Sequence, residues 1–367
     1  MKAKRPDRFF FILTFVLALT GFIVFSSAAL GLLGRDGATF TVVAGKQLFI
    51  LLVSLALCVI VAGIPYLKWQ KVAPYLLGLA VVLTLLVFVD GIGMAAGGAQ
   101  RWIKIPVINF SFQPGELLKL ATVMAWAWWL AGIKDKVKTF KWGFLPLVGL
   151  CGVLGVILLA QPNTSTLGII GVSVTAMFLV AGGKWRHLLL LALMAAIVLG
   201  GVVLTRDYVR SRVVTFFNPS HDLQGASYQL NQAHIAIGSG GLFGRGFGQS
   251  VQKFNNLPEP IGDSIFAVGA EEFGLIGTTT FLLLLLVFSL WGLKIAGRVH
   301  DPFGRLLALG IVILIASQSL INIGAMIGLL PLTGVPLVFV SQGGSALMLA
   351  LIEAGIVLNI SRYTSTT

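Results

Sequence analysis

Long stretches of this chain run almost without a polar residue, and they recur from one end to the other. A helix rising about 1.5 Å per residue needs roughly 20 residues to cross ~30 Å of hydrocarbon. Apolar runs of about that length fall near 9–33, 42–64, 73–90, 116–132, 144–160, 166–181, 187–204, 264–293, 304–328 and 337–360. The pattern predicts an all-α polytopic membrane protein of about ten transmembrane helices. The runs at 144–160 and 166–181 are short and separated only by "QPNTS", so a helical hairpin or a re-entrant pair fits them as well as two crossings. The first run follows "MKAKRPDR" but is too long for the apolar core of a cleaved signal, and it reads as a retained span.

Between the seventh and eighth runs lies the main interruption, residues 205–263. A connection of this length has work to do or is disordered. Its Gly-rich "GSGGLFGRGFGQS" at 238–250, with Tyr228, Phe243, Phe247 and Phe254 around it, argues for ordered backbone near a ligand or a lipid surface. No linker or repeat divides the chain, so 1–367 reads as one transmembrane domain. Cations orient it: with the N-terminus cytoplasmic, the inner loops hold sixteen Lys and Arg and the outer loops eight. Both termini are therefore expected inside, and 205–263 outside the cell.

Composition agrees: 57% of the residues are hydrophobic and 11% charged, with mean hydropathy +0.96. The net charge of +13 is spread among the loops, not gathered on a soluble face, which excludes a nucleic-acid binder. Cys58 and Cys151 sit inside apolar runs and make no disulfide framework, and the four His residues are scattered. No metal-ligand cluster is readable, which leaves any divalent cofactor unknown.

Candidate chemistry starts from charges that are costly in hydrocarbon. Seven of the eight outer cations follow the third run or lie in the long segment, against the topology bias: Arg101, Lys104, Arg206, Arg210, Arg212, Arg245 and Lys253. As a group they suit a phosphate or diphosphate, since the guanidinium fork donates two parallel hydrogen bonds; singly, each also suits a lipid headgroup. Glu116 and Lys119 share a face of the fourth run at i and i+3, either as a structural ion pair or as ligand-binding groups in a wet cavity. Asp263 opens the eighth run, either as an N-cap accepting from Ile265 or Phe266, or as a general base at the outer membrane boundary. Glu271 and Glu272 lie about 12 to 13 Å deeper, too far to share its reacting atom.

Several motifs in order resemble the SEDS family (shape, elongation, division and sporulation: FtsW, RodA, SpoVE). They are "GGAQRWI" at 97–103, "FQPGELLKL" at 112–120, "YQLNQAHIAIGSGGLFGRGFGQSVQKFNNLPEPIGDSIFAVGAEEFGLIG" at 228–277 and "NIGAMIGLLPLTGVPLVFVSQGGS" at 322–345. The resemblance implies a peptidoglycan glycosyltransferase of the bacterial plasma membrane that polymerises lipid II outside the cell, with a class B penicillin-binding protein as transpeptidase partner. It aligns the family's catalytic aspartate with Asp263, its charged pair with Glu116 and Lys119, and its outer arginine with Arg101. "GRGFGQSVQK" and "LNISRY" look more like the division branch, FtsW. The chain departs from the family pattern at Asn163, where an acid is usual, and at Ser264 and Gln342.

Such a transfer with inversion needs one base for the acceptor hydroxyl and positive charge for the departing diphosphate. The expected assignment is Asp263 as base, Arg101, Lys119 and some of Arg210, Arg212, Arg245 and Lys253 on the diphosphate, and Glu116 orienting Lys119. Glu259 keeps open a two-carboxylate variant. The competing reading is a lipid II flippase, for which intramembrane charges are equally expected.

Overall fold

The computed structural model describes residues 5–34, 40–96, 99–105, 110–218 and 227–364. Gly97 and Gly98 of the "GGAQRWI" motif and 219–226 of the long outer segment lie outside the described residues. Helices dominate: α1 (Arg8–Ala29), α2 (Phe40–Gly63), α3 (Tyr66–Leu86), α4 (Pro114–Ile133), α5 (Leu145–Ala160), α6 (Thr164–Val180) and α7 (Trp185–Thr205) precede the outer segment. Among its described residues that segment carries three helices, α8 (Asp207–Phe217), α9 (Tyr228–Ser239) and α10 (Gln252–Asn255). Then come α11 (Ile265–Gly297), α12 (Pro302–Met326) and α13 (Gly344–Ser361). Among the described residues nine helices are long and apolar enough to cross a membrane, and α6, at 17 residues, is shorter.

Local sequence explains the helix starts. Asp7 accepts from the Phe10 N–H at 2.8 Å to cap α1, and Asp301 accepts from the Gly304 N–H at 2.8 Å ahead of Pro302, the first residue of α12. One small sheet departs from the all-helical expectation. Strands β1 (Gly93–Ala96), β2 (Ala99–Ile105) and β3 (Phe110–Phe112) form an antiparallel meander between α3 and α4 and carry Arg101.

The most enclosed helices are α4, α12 and α13, with α6 packed on both α4 and α12, and α13 on α2. By contrast α7 buries only His187. A helix apolar all round is stable in that position because lipid, not water, is its solvent.

Helix α11 is broken at Gly274 (φ 64°, ψ −166°), and the Gly-rich segment 240–248 repairs the break. The Glu271 and Glu272 carbonyls accept from the N–H groups of Arg245 and Gly246, both at 3.0 Å. The Leu275 and Ile276 N–H groups donate to the carbonyls of Gly241 and Leu242 at 2.9 and 3.1 Å. Approach is so close that a Cβ on Gly244 (φ +80°) would sit 2.1 Å from the Glu272 carbonyl oxygen.

Candidate functional site

Asp263 lies in the turn that leads into α11 and is partly exposed. It does not cap the helix. Ser264 holds the N-cap position without a side-chain cap bond, and Asp263 Oδ1 instead accepts from Gln229 Nε2 of α9 at 3.0 Å. The same Nε2 donates to Ser264 Oγ at 2.9 Å. Burial, then the nearby charge of Glu259, push the Asp263 carboxyl up from 3.8 to about 6, against the Gln229 hydrogen bond and the charge of Arg212.

The backbone around Asp263 is held from several directions. Asn322 Nδ2 of α12 donates to the Asp263 carbonyl at 2.8 Å. Ser341 Oγ donates to the Gly262 carbonyl and the Gln342 N–H to that of Ile261, each at 2.7 Å.

Two arginines share this edge of the bundle. Arg212 Nη2 and Asp263 Oδ2 converge over Gly334, 3.6 and 3.8 Å from where a Cβ there would lie. The Arg212 guanidinium stands over the Tyr208 ring, 4.4 Å from its centroid. Burial lowers its pKa, and so does the charge of Arg101, while Tyr208 and Asp263 oppose the shift. Arg101, on β2, donates from Nε to the Gln161 carbonyl at 3.4 Å and from Nη2 to that of Pro162. Arg210 lies exposed on α8.

Lys253 is not part of this cluster, which corrects the expectation that it holds a diphosphate. It is fully buried, its Nζ 2.6 Å from Glu272 Oε1 and 3.2 Å from Ser27 Oγ. Two of its donors are taken up inside the protein. Glu271 accepts from Ser250 Oγ at 2.6 Å and from the Val251 N–H at 3.1 Å. Arg245, half-exposed, approaches Glu271 Oε1 with Nε at 3.4 Å. The two glutamates thus fasten segment 245–253 to α11.

Lys119 is also sealed, 1% exposed, with Nζ 2.8 Å from Glu116 Oε2 and donating to Gln318 Oε1. These groups and Glu353 line a cavity of about 10 Å³, the size of a single water. A diphosphate cannot reach that ammonium in this conformation, so its expected direct contact is corrected as well. A second, apolar groove of about 460 Å³ lies between α1 and α11. It begins at Ile265 and Phe266, next to Asp263, and continues to Leu284.

Sequence reasoning missed Gln229, Gln318 and Asn322. All three are neutral amides with no charge to single them out; the one available signal was their position, Gln318 and Asn322 being polar residues inside an apolar run and Gln229 lying in the long outer motif. Among the described residues no three His, Cys, Asp or Glu side chains gather as metal ligands.

Comparison with known proteins follows the same line. Stage V sporulation protein E of Bacillus subtilis is 36% identical over 364 residues, 99% of each chain. A probable peptidoglycan glycosyltransferase FtsW of Geobacter sulfurreducens is 41% identical over 299 residues, 81% of this chain and 79% of that one. The fold matches a chain from a structure described as the structural coordination of polymerization and crosslinking by a peptidoglycan synthase complex, with TM-score 0.80 and 25% identity over 98% of this chain and 99% of that one. It also matches the rod shape determining protein RodA of Thermus thermophilus, with TM-score 0.72 and 24% identity over 99% of this chain and 98% of that one. The family model for FtsW, RodA and SpoVE, described as cell cycle protein, matches residues 7–366, and the chain belongs to that family.

Proposed function

We propose that this multi-pass membrane protein is a peptidoglycan glycosyltransferase that polymerises lipid II at the outer face of the bacterial plasma membrane, with both termini cytoplasmic and 1–367 acting as one domain. Membership of the family, and relatives named as peptidoglycan glycosyltransferases, support the activity. One observation carries the site: a partly exposed carboxylate, Asp263, stands at the start of a membrane helix with Arg212 facing it. In the reaction, Asp263 accepts the proton of the acceptor sugar hydroxyl as its oxygen bonds to the anomeric carbon. The bond from that carbon to the diphosphate breaks, and the pair of electrons leaves with the diphosphate. Arg212, Arg101 and the exposed Arg210 supply positive charge where the leaving group gathers negative charge. The groove between α1 and α11 is sized and apolar for part of the polyprenyl tail, and membrane lipids fill what the tail leaves.

The partner is read as a class B penicillin-binding protein, in keeping with the complex of polymerization and crosslinking whose chain this one resembles. The flippase reading meets an obstacle in the bundle centre, where the polar cavity has room for about one water and not for a disaccharide. Purified protein incubated with lipid II, with and without the transpeptidase, tests the proposal. Glycan polymer is expected from the native chain and none from Asp263→Ala. Undiminished polymer from the variant would overturn the assignment.

A further inference from the structure

The Glu116–Lys119 pair and Asp263 stand on different elements, yet a continuous polar chain joins them. Gln318 and Asn322 are one turn apart on α12, i and i+4, and are 2% and 1% exposed. Gln318 Nε2 donates to the Pro336 carbonyl at 3.1 Å, and Asn322 Nδ2 to the Val335 carbonyl at 2.7 Å and the Asp263 carbonyl at 2.8 Å. Two successive carbonyls of the irregular segment between α12 and α13 are therefore pinned by two amides of one helix face. That segment in turn grips the turn before α11 through Ser341 Oγ and the Gln342 N–H.

Lys119 decides which way Gln318 points. An ammonium only donates, so the amide oxygen of Gln318 must face Lys119 Nζ, which leaves Nε2 to face Pro336. Glu116, 2.8 Å from Nζ, neutralises the ammonium and holds it in place. Val335 and Pro336 directly follow Gly334, over which Asp263 and Arg212 converge.

We propose that Gln318 and Asn322 are positioning residues that hold the Asp263 carboxylate in its working place, and that Glu116 and Lys119 act on the reaction through Gln318 without touching substrate. This rests on the reading of Asp263 as the base. A displacement of about 1 Å at a reacting group can cost on the order of a hundredfold in rate, so loss of either amide acts on turnover more than on binding.

The test uses the full-length detergent-purified protein, the lipid-linked disaccharide substrate, and hydrogen exchange of the backbone. Gln318→Met and Asn322→Leu are expected to lower kcat about tenfold or more with KM changed less than about twofold. Exchange should rise in peptides covering 257–264 and 333–342 and stay constant in α2 and α13. The double substitution Glu116→Gln with Gln318→Glu keeps the net charge and the partner of Lys119 but removes the donor to Pro336; it guards against a variant that fails to fold, and should lose kcat in the same way. Unchanged kcat, a rise in KM alone, or unchanged exchange in both segments overturns the proposal. Asp263→Asn tests the underlying reading separately: full activity there removes the base, whatever exchange in 333–342 does.

Discussion

Burial beside Glu259 lifts the Asp263 carboxyl from 3.8 to about 6, and this has opposite consequences for chemistry and for stability. As a base it must be ionised, so kcat/KM for polymerisation should rise with pH through about 6 and be lost below it. For folding the sign reverses. A carboxyl whose folded pKa is raised contributes stability that is complete below its unfolded value and lost as pH rises through the folded one. At pH 7.5 the ionised side chain is therefore a net cost, and the gap from 3.8 to about 6 corresponds to at most roughly 3 kcal/mol, less because the group is partly exposed. Asp263→Asn keeps an oxygen for Gln229 and removes that charge. It should abolish polymer formation yet raise the melting temperature at pH 7.5, with the gain gone at pH 4, read by thermal unfolding in detergent at the two pH values.

At the scale of one element, α11 is where sequence reading reached furthest and also where it fell short. Its acidic start and the Glu271–Glu272 pair stood out because carboxylates in an apolar run demand an explanation. Their partners did not stand out. Lys253 and Arg245 looked like outer cations free to hold an anion, because the break at Gly274 and the Gly-rich segment that repairs it come together only in the folded chain. Lys253→Met leaves the Glu272 carboxylate buried without its counter-charge, and breaking a buried pair in this way costs about 3–5 kcal/mol. The variant should unfold well below the native temperature, and adding Glu272→Gln should recover more than half of the loss. If Lys253 held a diphosphate instead, the single variant would keep its stability and raise KM.

Across the whole molecule, bilayer thickness made the architecture legible: each crossing must be long and apolar, so among the described residues nine of the ten expected runs coincide with long apolar helices and the tenth with the shorter α6. The meander that carries Arg101 was hidden, because three short strands leave no periodic signal of comparable length. Orientation is a property of the complete chain, and the site depends on it. If the cation bias is correct, Asn256, exposed just before the Asp263 turn, faces outward and Lys184, exposed between α6 and α7, faces the cytoplasm. Single cysteines introduced as Asn256→Cys and Lys184→Cys, with Cys58 and Cys151 replaced by Ala, can be probed with a membrane-impermeant maleimide on intact spheroplasts. Residue 256 should label at once, and residue 184 only after permeabilisation. The reverse pattern would put Asp263 and its arginines on the cytoplasmic face, where no glycan strand is extended, and the polymerase reading would fall together with its site.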